Sequence, residues 1–260
     1  MPQTDPAINA PEKLQALKRL ASHVLNALLP PQCPSCSALV EEVGMLCGDC
    51  WKQVDFLTPP MCSACGLPFA FEVEGDAGDV LCGACVRARP PYDRARAVMI
   101  YGDFSRKLVL AFKHADRTDT GPGLARWMAR TGRELTLDAD IITPVALHWT
   151  RLFQRRYNQA ALLAGVLGRE TGVPVVQDLL IRKRKTPPQG RLGAAGRRRN
   201  LKGAFRFNAR HLETVKGKRV LLVDDVLTTG ATASASAVVL LRAGARAVDV
   251  LTLARVVRTT

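Results

Sequence analysis

The 260-residue chain is long enough for one sizeable core and a small accessory module, because domains commonly span about 100 to 200 residues. Its composition, 47% hydrophobic and 23% charged, is that of a globular protein. No apolar run reaches the roughly 18 to 20 residues of a membrane-spanning helix, which excludes a transmembrane protein. The net charge of +14 favours anionic partners such as nucleic acid, phosphorylated metabolites or a membrane surface.

The N-terminal segment, residues 1–30, predicts an amphipathic helix. Residues 1–10 are polar and lack the pattern of a secretory signal, so we expect a cytoplasmic protein. From Glu12 to Leu29, apolar residues recur at helical spacing, and basic residues occupy the other faces. Packing against the rest of the chain is favoured over membrane-surface binding, because the apolar stripe is short and its basic residues are few.

Residues 31–90 contain all eight cysteines, arranged as four copies of Cys-x-x-Cys. Two thiolates three positions apart on a tight turn can face one ion, and two such turns complete a tetrahedral site of four sulfurs. The sequence therefore predicts a double zinc ribbon with two structural Zn²⁺ ions. The predicted ligands are Cys33, Cys36, Cys47, Cys50, Cys62, Cys65, Cys82 and Cys85.

Two alternatives accompany this interpretation. A disulfide framework is disfavoured, because no export signal is present and a cytosol is reducing. The spacing does not fix which pairs share an ion, although pairing of neighbours along the chain is favoured. The stretches between the pairs are short and poor in apolar residues, so metal binding would supply the folding energy.

Apolar strands and helical stretches alternate from residue 91 to residue 260. Strands are predicted at 95–101, 139–147, 173–176, 218–226 and 247–256. Helices are predicted within 105–135, over 158–172 with a stop at Gly172, and over 231–245 with a stop at Gly244. Strict alternation implies a doubly wound α/β domain with a mostly parallel sheet.

Acidic and hydroxyl residues cluster at the end of the strand predicted at 218–226. In "VLLVDDVLTTGATASA", residues 220–235, a buried strand ends at Asp224 and Asp225, and a loop then leads into a helix. Amides of the loop and first helical turn can cradle a phosphate, and two carboxylates suit a vicinal diol. A sugar 5-phosphate carries both a phosphate group and a vicinal diol, so it suits both parts of this segment. The predicted phosphate-binding residues are Thr228, Thr229, Gly230, Ala231 and Thr232.

Two simpler interpretations of this segment are weaker. Helix capping needs one acidic or hydroxyl residue, whereas this segment has two acids and three threonines around a glycine. A Walker-type nucleotide loop requires a glycine spacing and a lysine that are missing here.

These residues carry a family resemblance. "VLLVDDVLTTGATA" resembles the phosphoribosyl pyrophosphate loop of type I phosphoribosyltransferases, and residues 30–257 resemble the ComF family, double-zinc-ribbon proteins associated with bacterial competence. Other matching stretches are "AFKHADR" around Lys113 and "RLFQRRYNQA" at 151–160. In the family a glycine commonly precedes the aromatic residue of the second motif, whereas this chain has Arg156 before Tyr157.

The resemblance implies a ligand and a reaction. Asp224 and Asp225 would hold the ribose hydroxyls of 5-phosphoribosyl 1-pyrophosphate, and Thr228 to Thr232 its 5-phosphate. Arg155 or Arg156 would neutralise the pyrophosphate, Lys113 would lie close by, and Mg²⁺ would bridge the pyrophosphate oxygens. The type I reaction transfers phosphoribosyl to an acceptor, which the sequence does not identify.

The resemblance also implies a second class of function, a non-enzymatic DNA-uptake protein that binds single-stranded DNA and works with competence partners such as a helicase. Residues 182–202 contain nine lysines and arginines in 21 residues, with glycine and proline that disfavour a regular core element. This basic segment is predicted to bind an anion, either pyrophosphate or the backbone of single-stranded DNA.

Overall fold

The structure, a computed structural model, describes residues 30–70, 80–114, 120–184 and 194–257. The helix predicted within residues 1–30 lies almost entirely outside the described residues. So do the side chains of Lys113 and Arg155, although their backbones lie in helices.

A four-stranded parallel sheet forms the centre of the molecule. Its strand order is β1-β6-β5-β2, and all three strand pairs are parallel. A separate two-stranded antiparallel sheet pairs β3 with β4. The strands are β1 (Arg94–Ile100), β2 (Ile141–Pro144), β3 (Leu180–Arg182), β4 (Phe205–Phe207), β5 (Arg219–Leu227) and β6 (Ala247–Arg255).

Helices cover both faces of the central sheet, because its strands are apolar on both sides. Leu221 and Val223 of β5 pack with α3, α4 and α7, whereas Val220 and Leu222 pack with α10 and the β3-β4 sheet. The α-helices are α1 (Gly48–Trp51), α2 (Gly83–Arg87), α3 (Asp103–His114), α4 (Gly121–Thr131), α5 (Arg133–Asp138), α6 (Trp149–Arg155), α7 (Gln159–Thr171), α8 (Ala194–Leu201), α9 (Leu212–Val215) and α10 (Ala231–Arg242).

The predicted doubly wound, mostly parallel fold is confirmed. Helix α7 ends at Gly172, which takes the left-handed conformation with φ of 74°. Residues 173–176 form only a single bridge, between Val175 and Ile142, rather than a named strand.

Two features differ from the sequence prediction. The antiparallel β3-β4 sheet interrupts the strict alternation of strand and helix. The basic segment 182–202 was expected to exclude regular core elements, which was wrong: helix α8 lies within it and buries Leu201. The physical reason is that Leu201 and Ala204 join the apolar cluster on the α10 face, so a largely polar helix is anchored at its end.

The cysteine-rich region also contributes to the sheet edge. The backbone N–H of Leu57 donates to Val98 O at 2.9 Å, and the N–H of Ile100 donates to Asp55 O at 2.8 Å. Residues 55–57 therefore pair with the outer edge of β1.

Within the part of the chain described, no helix combines the length and the apolar character that crossing a membrane requires.

Candidate functional site

The eight cysteines form two four-sulfur groups made from neighbouring pairs. The first group consists of Cys33, Cys36, Cys47 and Cys50, and the second of Cys62, Cys65, Cys82 and Cys85; within each group the sulfurs lie within 4.8 Å of one another. Pairing of neighbours along the chain is thereby confirmed.

The sulfur spacing fits a tetrahedral zinc ion. Cys36 Sγ lies 3.5 Å from Cys47 Sγ, and Cys65 Sγ lies 3.7 Å from Cys82 Sγ. A Zn–S bond of about 2.3 Å in a tetrahedron places sulfurs about 3.8 Å apart. The geometry and the donor set support structural zinc at both groups.

Backbone donors prepare one thiolate in each group. Burial opposes ionisation of Cys33, but hydrogen bonds from the backbone of Cys47, Cys36 and Ser35 lower its pKa to about 6. Burial likewise opposes ionisation of Cys62, and backbone hydrogen bonds lower its pKa to about 7. The thiolate is the form that binds metal, so these turns favour it before an ion arrives.

The first group is continuous with the main apolar core. Cys33 and Cys50 belong to the same buried cluster as residues of α3, α4 and α7. The rings of Trp51 and Trp127 lie 5.4 Å apart, which joins α1 to α4. Arg126 of α4 lies 3.1 Å from Glu42.

The second group is a separate buried cluster that lies against the sheet. Arg96 of β1 donates to Ser63 O at 3.1 Å. Arg255, the last residue of β6, donates hydrogen bonds to Cys65 O and, at 3.4 Å, to Cys65 Sγ. Polar contacts rather than a shared apolar core thus attach this group to the strands.

The predicted sugar-phosphate loop lies at the carboxyl end of β5. Asp224 and Asp225 are partly exposed, and the N–H of Asp225 donates to Asp224 Oδ1 at 2.9 Å. Gly230 has φ of 73°, a left-handed conformation that side chains disfavour, and it starts α10 without a side-chain cap. Because a glycine N-cap has no side chain to cap the first amides of α10, this helix start is of the kind that binds anions.

Two hollows flank this loop. Asp224, Thr228 and Thr232 share a narrow one of about 10 Å³. A cavity of about 530 Å³ separates the other side of the loop from the second four-cysteine group. We call it the loop cavity; its lining includes Tyr92, Thr228, Thr229, Gly230, Ser234 and Arg255.

The segment after β2 places "RRYNQ" at the same edge of the sheet. Asn158 caps α7 by accepting from Ala160 N at 3.1 Å, and its amide donates to Val145 O at 3.0 Å. Arg156 has φ of 64°, a left-handed conformation. The structure therefore explains why a glycine is suited to this position and shows that the turn forms with arginine.

The backbones of the predicted basic residues Lys113 and Arg155 lie near this turn. Tyr157 Oη donates to Phe112 O at 2.7 Å, which brings the end of α3, and with it the backbone of Lys113, next to Arg156. Lys113 and Arg155 keep their predicted roles as hypotheses, since their side chains lie outside the described residues. His148 caps α6 by accepting from Thr150 N at 3.3 Å, a structural role.

Two arginines lie near the predicted site. Arg182, the first residue of the predicted basic segment, ends β3, and burial and the charge of Arg151 lower its pKa while the charge of Asp224 opposes that shift. Arg255, which was not predicted from the sequence, ends β6 and is 9% exposed. A lone arginine at the carboxyl end of a buried strand is the sequence signal that identifies such a residue.

Comparisons with known proteins agree with this architecture. A double zinc ribbon domain matches residues 24–86, and a phosphoribosyl transferase domain matches residues 158–259. The DNA utilization protein YhgH of Salmonella typhimurium is 36% identical over 201 residues, which cover 75% of this chain and 84% of that protein. Competence protein F of Haemophilus influenzae is 32% identical over 216 residues, which cover 81% of this chain and 90% of that protein.

A solved structure described as the allosteric regulatory enzyme of purine biosynthesis aligns with a TM-score of 0.38 at 22% identity, covering 55% of this chain and 30% of that one. The family assignment comes instead from the two domain matches in this order and from similarity to the two bacterial relatives over 75% and 81% of this chain. Together they show that the chain belongs to the ComF family of double-zinc-ribbon, phosphoribosyltransferase-like proteins.

Proposed function

We propose that this chain binds 5-phosphoribosyl 1-pyrophosphate with Mg²⁺ at the carboxyl end of β5. The observation that carries the proposal is the junction between β5 and α10. Two adjacent carboxylates, Asp224 and Asp225, lie in the last residues of the strand before it ends at Leu227, and a left-handed glycine then precedes the helix. This arrangement would set a diol site beside a phosphate site, as this ligand requires.

The loop would bind the 5-phosphate through its backbone. The amides at the start of α10 point outward from the helix end, where the helix dipole favours negative charge. The hydroxyls of Thr228, Thr229 and Thr232 would add hydrogen bonds. Thr229 Oγ1 is buried and has no hydrogen-bond partner among the described residues, as expected for a group that awaits a ligand oxygen.

The carboxylates would bind the ribose. Each can accept a hydrogen bond from one hydroxyl of the 2,3-diol, and a charged acceptor strengthens such a bond. Arg155, Arg156 and Lys113 would lie toward the pyrophosphate, because the turn after β2 neighbours the end of β5. Magnesium would contribute neutralisation of the pyrophosphate oxygens.

The reaction compatible with this arrangement is displacement of pyrophosphate at the anomeric carbon by an acceptor. Asp224 and Asp225 would steady the positive charge that develops on the sugar, while the arginines stabilise the departing pyrophosphate. No protein nucleophile is required.

Calorimetric titration of the zinc-loaded full chain with phosphoribosyl pyrophosphate and Mg²⁺ tests the binding. Asp224→Asn and Asp225→Asn should each lower the affinity by about 1 to 3 kcal/mol, because a charged hydrogen-bond acceptor is lost. Glu41→Gln and Asp49→Asn remove the same charges from exposed positions of the first ribbon and should leave the affinity unchanged. Absence of binding by the wild type would refute the proposal.

A search for pyrophosphate release over a panel of nucleobases and amines then tests catalysis. Release that depends on an acceptor and disappears in Asp225→Asn would establish a transferase. Binding without release from any acceptor would favour a protein that keeps the pocket for ligand binding alone.

A second candidate function, binding of single-stranded DNA, is favoured by helix α6. Trp149 and Phe153 lie one turn apart and are 70% and 87% exposed, and with Leu152 and Arg156 they line one open hollow. Exposed aromatic rings beside arginine are the elements that stack bases of single strands. The names of two relatives, a DNA utilization protein and a competence protein, agree with this candidate.

Binding of a fluorescent oligothymidylate at several salt concentrations tests this candidate. Trp149→Ala combined with Phe153→Ala should weaken binding by about 1 to 3 kcal/mol per stacked base without changing the salt slope. Leu137→Ala, which truncates an apolar side chain that is 75% exposed on α5, is the control. Equal affinity of the aromatic double variant and the control would exclude α6 as the DNA surface.

A further inference from the structure

We propose that Arg255 binds an anionic group of the ligand in the loop cavity, and that the second four-cysteine group holds Arg255 in place for this task. Metal at the second group would then control ligand binding at the loop. The inference rests on the proposed binding of a sugar phosphate, and it adds a ligand residue from β6 and a role for the second ribbon.

Arg255 is buried, and its partners in the described part of the chain are the carbonyl oxygen and the sulfur of Cys65 rather than a carboxylate. Only 9% of the residue is exposed, and it forms no ion pair with any Asp or Glu that the structure describes. Its Nε is buried and has no hydrogen-bond acceptor among those same residues. A buried guanidinium normally pairs with an acid or a phosphate, because an isolated charge is costly to remove from water.

The surroundings of Arg255 are built for an anion. Arg255 lines the loop cavity together with Thr229, whose Oγ1 is also buried and unpartnered, and with the uncapped start of α10 at Gly230. Neither acid of the β5 end lines this cavity. An arginine, an unused hydroxyl and a helix N-terminus therefore surround one space of about 530 Å³.

The second four-cysteine group fixes the direction of the guanidinium. Arg255 donates to both the carbonyl oxygen and the sulfur of Cys65. Four thiolates around Zn²⁺ carry a net negative charge, which attracts the guanidinium and strengthens the N–H···S contact. Loss of the metal would free the four sulfurs from their tetrahedral arrangement, weaken this contact and release the arginine from its position.

Tyr92 is a second contact between the region of the second four-cysteine group and the loop at Gly230. A Cβ built on Gly230 would lie 3.1 Å from Tyr92 Oη, so the tyrosine sits directly against the left-handed turn of the loop. Tyr92 is 4% exposed, and it precedes β1, where the second ribbon joins the sheet. The loop is therefore supported from the ribbon side by both Arg255 and Tyr92.

Titration of the full chain, verified to hold two zinc ions by mass spectrometry, tests the proposal. The probes are phosphoribosyl pyrophosphate with Mg²⁺ and inorganic phosphate alone. Arg255→Gln should weaken both by about 10- to 100-fold, because a hydrogen-bonded charge is lost from a buried anion site. Arg246→Gln is the matched control, because it removes the same charge just before the opposite end of β6, where the side chain is 64% exposed.

Wild-type binding separates failure of the inference from failure of the proposed function. If the wild type does not bind phosphoribosyl pyrophosphate, the proposed function fails. If the wild type binds and Arg255→Gln binds as tightly as Arg246→Gln, the inference alone is overturned.

Cys65→Ser tests the role of the metal. This variant should hold one zinc ion, lose the N–H···S contact and weaken ligand binding as much as Arg255→Gln does. The double variant Cys65→Ser with Arg255→Gln should bind no more weakly than either single variant, because both changes remove the same placement of the arginine. Ligand affinity that survives in Cys65→Ser would show that Arg255 does not depend on the second group.

Discussion

The two four-cysteine groups have the same ligands and the same local turns, but they join the rest of the molecule differently. The first group shares its apolar cluster with three helices of the α/β domain. The second forms a cluster of its own and contacts the strands through arginines and backbone oxygens. Apolar packing couples a module to the stability of its neighbour, whereas directed polar contacts couple it to the position of particular side chains.

The difference assigns separate tasks to two similar ribbons. The first ribbon completes the core on the α4 side, so its loss should lower the stability of the whole chain. The second ribbon and the candidate phosphate loop line one cavity, so loss of this ribbon should act mainly on the proposed site. Four measurements test this contrast.

The largest effect is expected from removing each metal site. The double variant Cys33→Ser and Cys50→Ser should lose one zinc ion and unfold at a much lower denaturant concentration, because structural zinc supplies about 10 kcal/mol or more in isolated zinc fingers. Cys62→Ser with Cys65→Ser should also lose one ion but retain more of the α/β unfolding free energy. Urea unfolding followed by circular dichroism checks this order, and a larger loss in the second variant would contradict it.

A smaller effect is expected from the two glycines at which the ribbons touch the domain. A Cβ on Gly123 would overlap the carbonyl oxygen of Gly44, and one on Gly66 would overlap that of Ala95. Each glycine-to-alanine change should destabilise its contact by about 1 to 3 kcal/mol. Only Gly123→Ala should alter the fluorescence of the contacting pair Trp51 and Trp127.

Matched glycines serve as controls for this comparison. A Cβ on Gly48 of the first ribbon meets nothing within 4 Å, and one on Gly83 of the second ribbon meets only an arginine side chain at 3.5 Å. Alanine at these positions should leave unfolding and fluorescence unchanged. A destabilisation as large as that of Gly123→Ala would show that the close contacts are not the cause.

The order of metal release should also differ. Cys36 is exposed and Cys47 half-buried in the first group, whereas all four cysteines of the second group are buried. A chelator should therefore remove zinc in two phases, the first group before the second. Alkylation of released thiols followed by mass spectrometry identifies which group opens in each phase, and the reverse order would contradict the contrast.

The smallest effect is expected at the exposed ion pair that joins α4 to the first ribbon. Arg126 and Glu42 are 3.1 Å apart, with side chains 40% and 64% exposed. Arg126→Gln should lower the unfolding free energy by less than about 1 kcal/mol, because solvent screens such pairs. Glu42→Gln should have the same effect, and combining the two should add little.

The sequence predicted the elements whose patterns are strong. Long apolar runs identified β5 and β6, and Gly172 marked the end of α7, because a left-handed residue at a helix end favours glycine. The order of the cysteine pairs was favoured correctly, since neighbouring turns are joined by short connections. These signals are local and need no knowledge of the rest of the fold.

Features that depend on contacts between distant parts of the chain could not be predicted from the sequence. The three-residue strands β3 and β4 are too short for a periodic pattern, and their pairing depends on closure of a long connection. Arg255 and Cys65 are 190 residues apart, so no spacing rule relates them. The candidate phosphate loop could be proposed from the sequence because its residues are consecutive. The cavity beside it combines residues that are far apart in the chain, such as Cys65 and Arg255.

The pairing of residues 55–57 with β1 has a consequence for self-association. Strand β1 lies at the edge of the sheet, where unpaired backbone N–H and C=O groups can recruit a strand from another molecule. The chain that connects the two ribbons covers this edge through Leu57 and Asp55. Depletion of zinc would uncover it, so metal-free protein should form intermolecular β-sheet aggregates even while much of each molecule remains folded.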